Sequence, residues 1–112
     1  MKKYQLGEFE EIVLLTVGVL YDNAYGVAIK NEIENRLERK VSLGALQSAL
    51  RRMETKGFLE SETGETTEKR GGKPKRFFKM TSFGRSALEY NRDVRAELWK
   101  ALPDMVLEAK FA

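Results

Sequence analysis

Phe9, Ile12, Val13, Thr16, Val17 and Leu20 recur at the spacing of one helix face and predict a first helix over residues 6–21. Leu14, Leu15 and Val19 widen the apolar arc, so this helix should be buried on more than one side. Glu8, Glu10 and Glu11 fall in its first turns, where negative charge suits the helix dipole. Asp22-Asn23 then punctuates the chain. A second helix is expected over residues 24–39, with Ile29, Ile33 and Leu37 as its buried stripe, Val27 and Ala28 beside them, and a charged opposite face. Gly26, near its start, lowers helix propensity; it either admits another backbone or marks the turn.

Ser42 is a suitable N-cap for a third helix, residues 43–56. Leu43, Leu46, Leu50 and Met53 give it a narrow apolar stripe, while Gly44, Ala45, Ser48, Arg51, Arg52 and Thr55 face the other way. Lys56-Gly57 supplies a cation and a glycine stop. The period then changes from helical to alternating. Residues 58–63 (FLESET) and 75–81 (KRFFKMT) read as two strands, with Phe78 and Met80 on one face and Phe77 on the other. The polar loop between them holds three glycines and one proline. Ser82 is read as the cap of a long last helix running from residue 83 to about residue 110, with Ala87, Asn91, Val94, Leu98, Ala101 or Leu102, and Met105 at helical spacing. Pro103 should kink it or start a new turn.

The predicted order is three helices, a hairpin and a helix. The fold class is therefore mainly α with a small β-hairpin (α+β), in the ααα-ββ-α order of a winged helix-turn-helix. Residues 1–81 would form that domain and residues 82–112 a C-terminal dimerisation helix, together one structural unit. The last helix is too long to bury its whole length on so small a core, so its far half should meet a second copy of the chain.

Length and composition narrow the function. A chain of 112 residues suits one domain that buries roughly 65% of its unfolded surface. Cysteine and histidine are both absent, which removes disulfides, thiolate metal sites and the commonest general base and zinc ligand. No phosphate-binding loop, dinucleotide fingerprint or nucleophile elbow occurs, so no catalytic residue, metal ligand or cofactor is assigned. The first residues make a poor signal peptide, and the longest uncharged apolar run, Ile12 to Tyr21, is too short to span a membrane; a cytoplasmic location is expected.

The net charge of +3 conceals an uneven distribution. Lys69, Arg70, Lys73, Lys75, Arg76 and Lys79 crowd into one stretch without an acid, leaving 14 basic against 17 acidic residues elsewhere. Such a patch is the usual footprint for a polyanion. We expect double-stranded DNA as the partner. Helix 43–56 would enter the major groove through Ser42, Gly44, Ala45, Gln47 and Ser48, with Arg51 and Arg52 reaching phosphate or guanine. Within a basic wing over 64–76, Arg70, Gly71, Gly72, Lys73, Lys75 and Arg76 would meet the backbone or minor groove. An ordinary solvated helix face and a solvated charge run fit the same residues, and a winged-helix protein-interaction module is the alternative function. Phe9, Val94, Leu98, Leu102 and Met105 are the candidate dimerisation residues. Tyr90 and Trp99 are candidates for stacking on a small aromatic effector; Phe111 adds a further aromatic to that helix.

Four segments in order resemble the PadR family of transcriptional regulators, over residues 6 to about 88. LGEFEEIVLLTVGVL resembles the family's first helix, and YGVAIKNEIE its H-G-Y-x-I-x-x-x-I stretch, with Gly26 at the glycine. VSLGALQSALRRMETKGFLE resembles S-x-G-T-L-Y-x-A-L-x-R-L-E-x-x-G-L-I, and GGKPKRFFKMTSFGRSAL resembles G-R-x-R-K-Y-Y-x-L-T-x-x-G. The single last helix resembles the family's short branch. Three positions depart from the pattern: Val27 and Gln47 each replace a tyrosine, and Ala45 replaces a threonine. The resemblance implies a homodimeric repressor on a palindromic operator, released in some relatives by small aromatic molecules between the C-terminal helices.

Overall fold

The computed structural model describes residues 2–64 and 74–108. Its elements are α1 (Glu8–Leu20), α2 (Gly26–Leu37), α3 (Leu43–Thr55), β1 (Leu59–Thr63), β2 (Arg76–Met80), α4 (Ser82–Ala101) and α5 (Asp104–Glu108), with 3-10 turns at Lys2–Tyr4 and Tyr21–Asn23.

The core lies where the first three helices meet the hairpin. Val13, Leu14 and Val17 of α1 pack with Ile29 and Ile33 of α2 and with Leu46, Leu50 and Met53 of α3. Phe58, Leu59, Phe78 and Ala87 close the cluster from the hairpin and α4. Ala49 is fully buried on α3, so the buried stripe of that helix is wider than its leucines alone indicate.

Several expected core positions are instead exposed. Leu15 and Val19 are 50% and 58% exposed, because Leu14 takes the inward place on α1. Of the three residues expected to widen the arc, Leu14 is buried and Leu15 and Val19 are not, while α1 still packs against α2, α3, β2 and α4. Val27 and Leu37 are also about half exposed, and Ile29 and Ile33 alone are buried on α2. That helix ends at Leu37 because Glu38 adopts a left-handed conformation, with φ 50°.

The cap of α4 is Thr81 rather than Ser82. Thr81 Oγ1 accepts the Gly84 amide at 3.0 Å and donates to the Gly57 carbonyl at 2.5 Å, so one hydroxyl fastens both the helix start and the end of α3. Gly57 takes φ +86° there, which favours glycine. A methyl at Gly84 would overlap the Phe58 carbonyl oxygen, so α4 sits directly on the backbone leading into β1. The Phe58 and Phe83 rings stack beside this contact at 5.2 Å.

The two strands pair antiparallel in the register Leu59↔Met80 to Thr63↔Arg76. Phe78 N–H donates to the Ala24 carbonyl, and Tyr25 bridges Phe77, so the start of α2 is attached to the hairpin. Past Asn91 every residue of α4 from Arg92 to Ala101 is exposed, although Arg95 still reaches Glu11 of α1 at 2.6 Å. Pro103 separates α4 from α5, as its missing N–H requires.

Candidate nucleic-acid interface

The leading end of α3 is uncharged, small and open to solvent. Ser42 Oγ accepts the Ala45 amide at 3.1 Å, capping the helix as expected. Gly44, Ala45, Gln47, Ser48 and Arg51 are exposed, while Leu46, Ala49, Leu50 and Met53 turn inward. The preceding turn is held by Glu34, which accepts the Val41 amide at 2.8 Å and pairs with Lys30 at 3.0 Å. The backbone hydrogen bond from Val41, then Lys30, hold the Glu34 carboxyl below the usual carboxylate range.

Arg51 and Arg52 diverge. Arg51 points outward beside Gln47. Arg52 turns to α1, where its Nε donates to Glu10 Oε2 at 3.3 Å; Lys56 Nζ approaches the same carboxylate at 3.5 Å. Glu10 is only 7% exposed and also accepts the Gly7 amide at 3.1 Å. Burial acts to raise its pKa, but the Gly7 hydrogen bond and the two cations outweigh this and hold the carboxyl below its ordinary value. The structure thus turns Arg52 away from the outward face on which the sequence groups it with Arg51. The sequence shows Glu10 only as one of three early glutamates; its place three residues after Gly7, from which a glutamate can accept the N-cap amide, was the available signal.

On the hairpin, Lys75 and Arg76 are exposed. Lys75 Nζ lies 4.2 Å above the Tyr25 ring, and Arg76 Nε donates to Ser61 Oγ at 2.9 Å. Arg70, Gly71, Gly72 and Lys73, with Lys69, lie outside the described residues. Tyr25, which sequence reasoning passed over, joins α2 to this strand.

The predicted dimerisation residues separate into two groups. Val94, Leu98 and Met105 are exposed, at 42%, 64% and 76%; Leu102 is half-buried. Phe9 packs on the core, with the Arg39 guanidinium 5.4 Å from its ring centroid. Tyr90 and Trp99 are not brought together. Tyr90 packs on Tyr4, with centroids 5.5 Å apart, whereas Trp99 is 66% exposed and lines a depression with Leu15, Leu88 and Ala96. Nine residues of α-helix place them about half a turn apart. Phe111 lies outside the described residues. Among the described residues no helix is long and apolar enough to cross a membrane, and no group of three or more carboxylates is placed to hold a metal.

Comparison with known proteins agrees with this architecture. Residues 14–90 match the transcriptional regulator PadR-like family. A PadR-like transcription factor from Bacteroides fragilis is 27% identical, with TM-score 0.72, covering 89% of this chain and 88% of its own. A PadR family transcription regulator from hypervirulent Clostridium difficile is 26% identical, with TM-score 0.64, covering 85% and 97%. A PadR family regulator from Eggerthella lenta shares the fold at 24% identity and TM-score 0.68, covering 92% and 88%. The curated proteins contain no match. The helix order, the hairpin packed on α3 and the family match over most of the chain make this protein a winged-helix transcriptional regulator of the PadR-like family.

Proposed function

We propose that the protein is a homodimeric, sequence-specific DNA-binding repressor. The observation that carries this is the exposed leading end of α3, small and uncharged, with Arg51 behind it and the cations of β2 alongside. A helix of that shape fits the major groove closely. Ser42, Gly44, Ala45, Gln47 and Ser48 meet base edges, Gln47 being suited to adenine. Arg51, Lys75, Arg76 and the wing residues Arg70, Gly71, Gly72 and Lys73 meet phosphates. Arg52 serves the α1–α3 contact first.

Exposed Val94 and Leu98 of α4 and Met105 of α5, with half-buried Leu102 between the two helices, support dimerisation against a second copy. Phe9, largely occupied by the core, is a secondary contributor. Trp99 is the better effector candidate, since it lines an open depression with apolar neighbours while Tyr90 packs on Tyr4. Fluorescence anisotropy against random-sequence and selected duplexes tests the central claim. With about four phosphates contacted per subunit, log K should fall with log salt at a slope of about −3.6 per subunit. Salt-independent or absent binding to duplex DNA would overturn it.

A further inference from the structure

The base of the hairpin is tied to the start of α2 by contacts that converge on Tyr25. Tyr25 bridges Phe77, and Phe78 N–H donates to the Ala24 carbonyl at 2.8 Å. The Tyr25 and Phe77 rings meet edge to face, with centroids 5.6 Å apart. The Phe77 ring lies so close to Gly64 that a Cβ there would overlap it. Gly64 N–H donates to the Lys75 carbonyl at 2.6 Å, which holds the backbone of Lys75. Its side chain is held as well, since Nζ lies 4.2 Å from the centroid of the Tyr25 ring.

The two cations at the base of β2 are therefore not equivalent. Arg76 donates to Ser61 Oγ at 2.9 Å and lies 3.9 Å from the Glu54 carboxylate, so part of its charge is answered within the protein. Lys75 is exposed, and among the described residues the ion pairs of β2 involve Arg76 and Lys79 but not Lys75. It meets an aromatic face in place of a carboxylate. Such a face attracts a cation through its quadrupole but carries no net charge, so the ammonium keeps its attraction for an outside anion. A solvated lysine loses the rotamer freedom of a long stem when it binds; here the ring has removed part of that freedom beforehand. Lys75 shares one depression with Gln47 and Arg51 of α3, so the held ammonium stands on the side that those residues face.

We propose that Tyr25 is a positioning residue for DNA binding: acting through Lys75 rather than on the duplex, its ring holds the ammonium ready for a phosphate beside the groove that α3 enters. This rests on the DNA-binding reading above.

Duplex affinity of the full chain, read by fluorescence anisotropy, tests it. An exposed cation–π contact is worth about two- to fivefold in an equilibrium constant. Tyr25→Leu should weaken binding to every duplex by about that factor per subunit, and Tyr25→Phe should bind as wild type does because the ring remains. The loss should vanish when Lys75 is already alanine, which a merely structural role of Tyr25 would not produce. Pentafluorophenylalanine in place of Tyr25 keeps the ring's shape but removes its negative face. It should weaken binding as leucine does, and it serves as the test if leucine loosens the hairpin. Without DNA, the Lys75 Hε protons should resonate upfield of an ordinary lysine in wild type and Tyr25→Phe, and return to the ordinary position in Tyr25→Leu. Unchanged or tighter binding by the leucine and fluorinated variants, an equal loss in the Lys75→Ala background, or ordinary Hε shifts in wild type would each overturn the proposal and leave the DNA-binding reading standing. Absence of duplex binding by wild type would overturn that reading and this proposal with it.

Discussion

Glu10→Gln removes one charge from the junction of α1 and α3 while keeping the side chain's shape. The amide oxygen still accepts the Gly7 N–H, so the start of α1 stays capped. What is lost is the attraction to Arg52 and Lys56, at 3.3 and 3.5 Å. Hydrogen bonds to charged groups contribute about 1.5–3 kcal/mol, and exposed ion pairs about 0.2–1 kcal/mol. The carboxylate is buried, but the cations are 54% and 45% exposed and solvent screens them. The two interactions together are therefore worth about 1–2 kcal/mol. Urea unfolding at pH 7 and fixed protomer concentration should show this loss, with a fall in Tm of about 4–8 °C per kcal/mol. The pH dependence is the sharper test. A carboxyl whose folded pKa is depressed adds stability that is present above its ordinary value of 4.5 and lost as pH falls through the folded value. The gap between wild type and variant should accordingly close in acid. A gap of equal size at pH 7 and at acid pH, or a coupling with Arg52→Gln below about 0.3 kcal/mol in a double-mutant cycle, would refute the reasoning.

Other perturbations follow from the same contacts. Gly84→Ala forces a methyl against the Phe58 carbonyl and should cost about 1–3 kcal/mol, seen as a lower Tm even though alanine is the better helix former. Lys75→Ala with Arg76→Ala should weaken binding to all duplexes alike and reduce the salt slope by about 1 per phosphate lost. Gln47→Ala should instead change sequence preference, by about 1–3 kcal/mol at the adenine it is proposed to read. If the proposed dimer forms through α4, Leu98→Glu should shift sedimentation from twice the chain mass to the chain mass, because Leu98 is 64% exposed and lies outside the core cluster.

The helices and hairpin were legible because their periods differ and their ends carry strong stop residues. Ser42, Gly57 and Pro103 act as the sequence indicates. Burial was less legible. Leu14 and Leu15 are equally apolar neighbours, and the sequence does not say which faces the hairpin; the structure buries one and half exposes the other. Ser82 and Thr81 are likewise both acceptable caps. Thr81 prevails because its hydroxyl reaches Gly57 as well, a contact made across the fold. Of the candidate interface, the leading end of α3 could be read from residue types alone. The pairing of Tyr25 with Phe77, which brings Lys75 onto the Tyr25 ring, depends on a contact between residues 52 apart in sequence and has no local signature.

The three glutamates at the start of α1 show how one composition feature serves several structural ends. The helix dipole accounts for their presence near an N-terminus but not for their separate partners. Successive residues of a helix are about 100° apart, so Glu8, Glu10 and Glu11 point to three different sides. Glu8 meets Arg39 beyond α2 at 2.8 Å, Glu10 meets Arg52 and Lys56 of the α3 end, and Glu11 meets Arg95 of α4 at 2.6 Å. Of the three only Glu10 is buried, so its interactions contribute most to stability and the more exposed pairs little. One helical turn therefore makes ion pairs toward the end of α2, toward α3 and toward α4, around a placement that the shared apolar core sets. It also decides between two adjacent arginines that the sequence cannot rank: Arg52 lies on the side of α3 facing Glu10 and is held, and Arg51, one step round the helix, makes no ion pair among the described residues and is the one proposed to meet a phosphate.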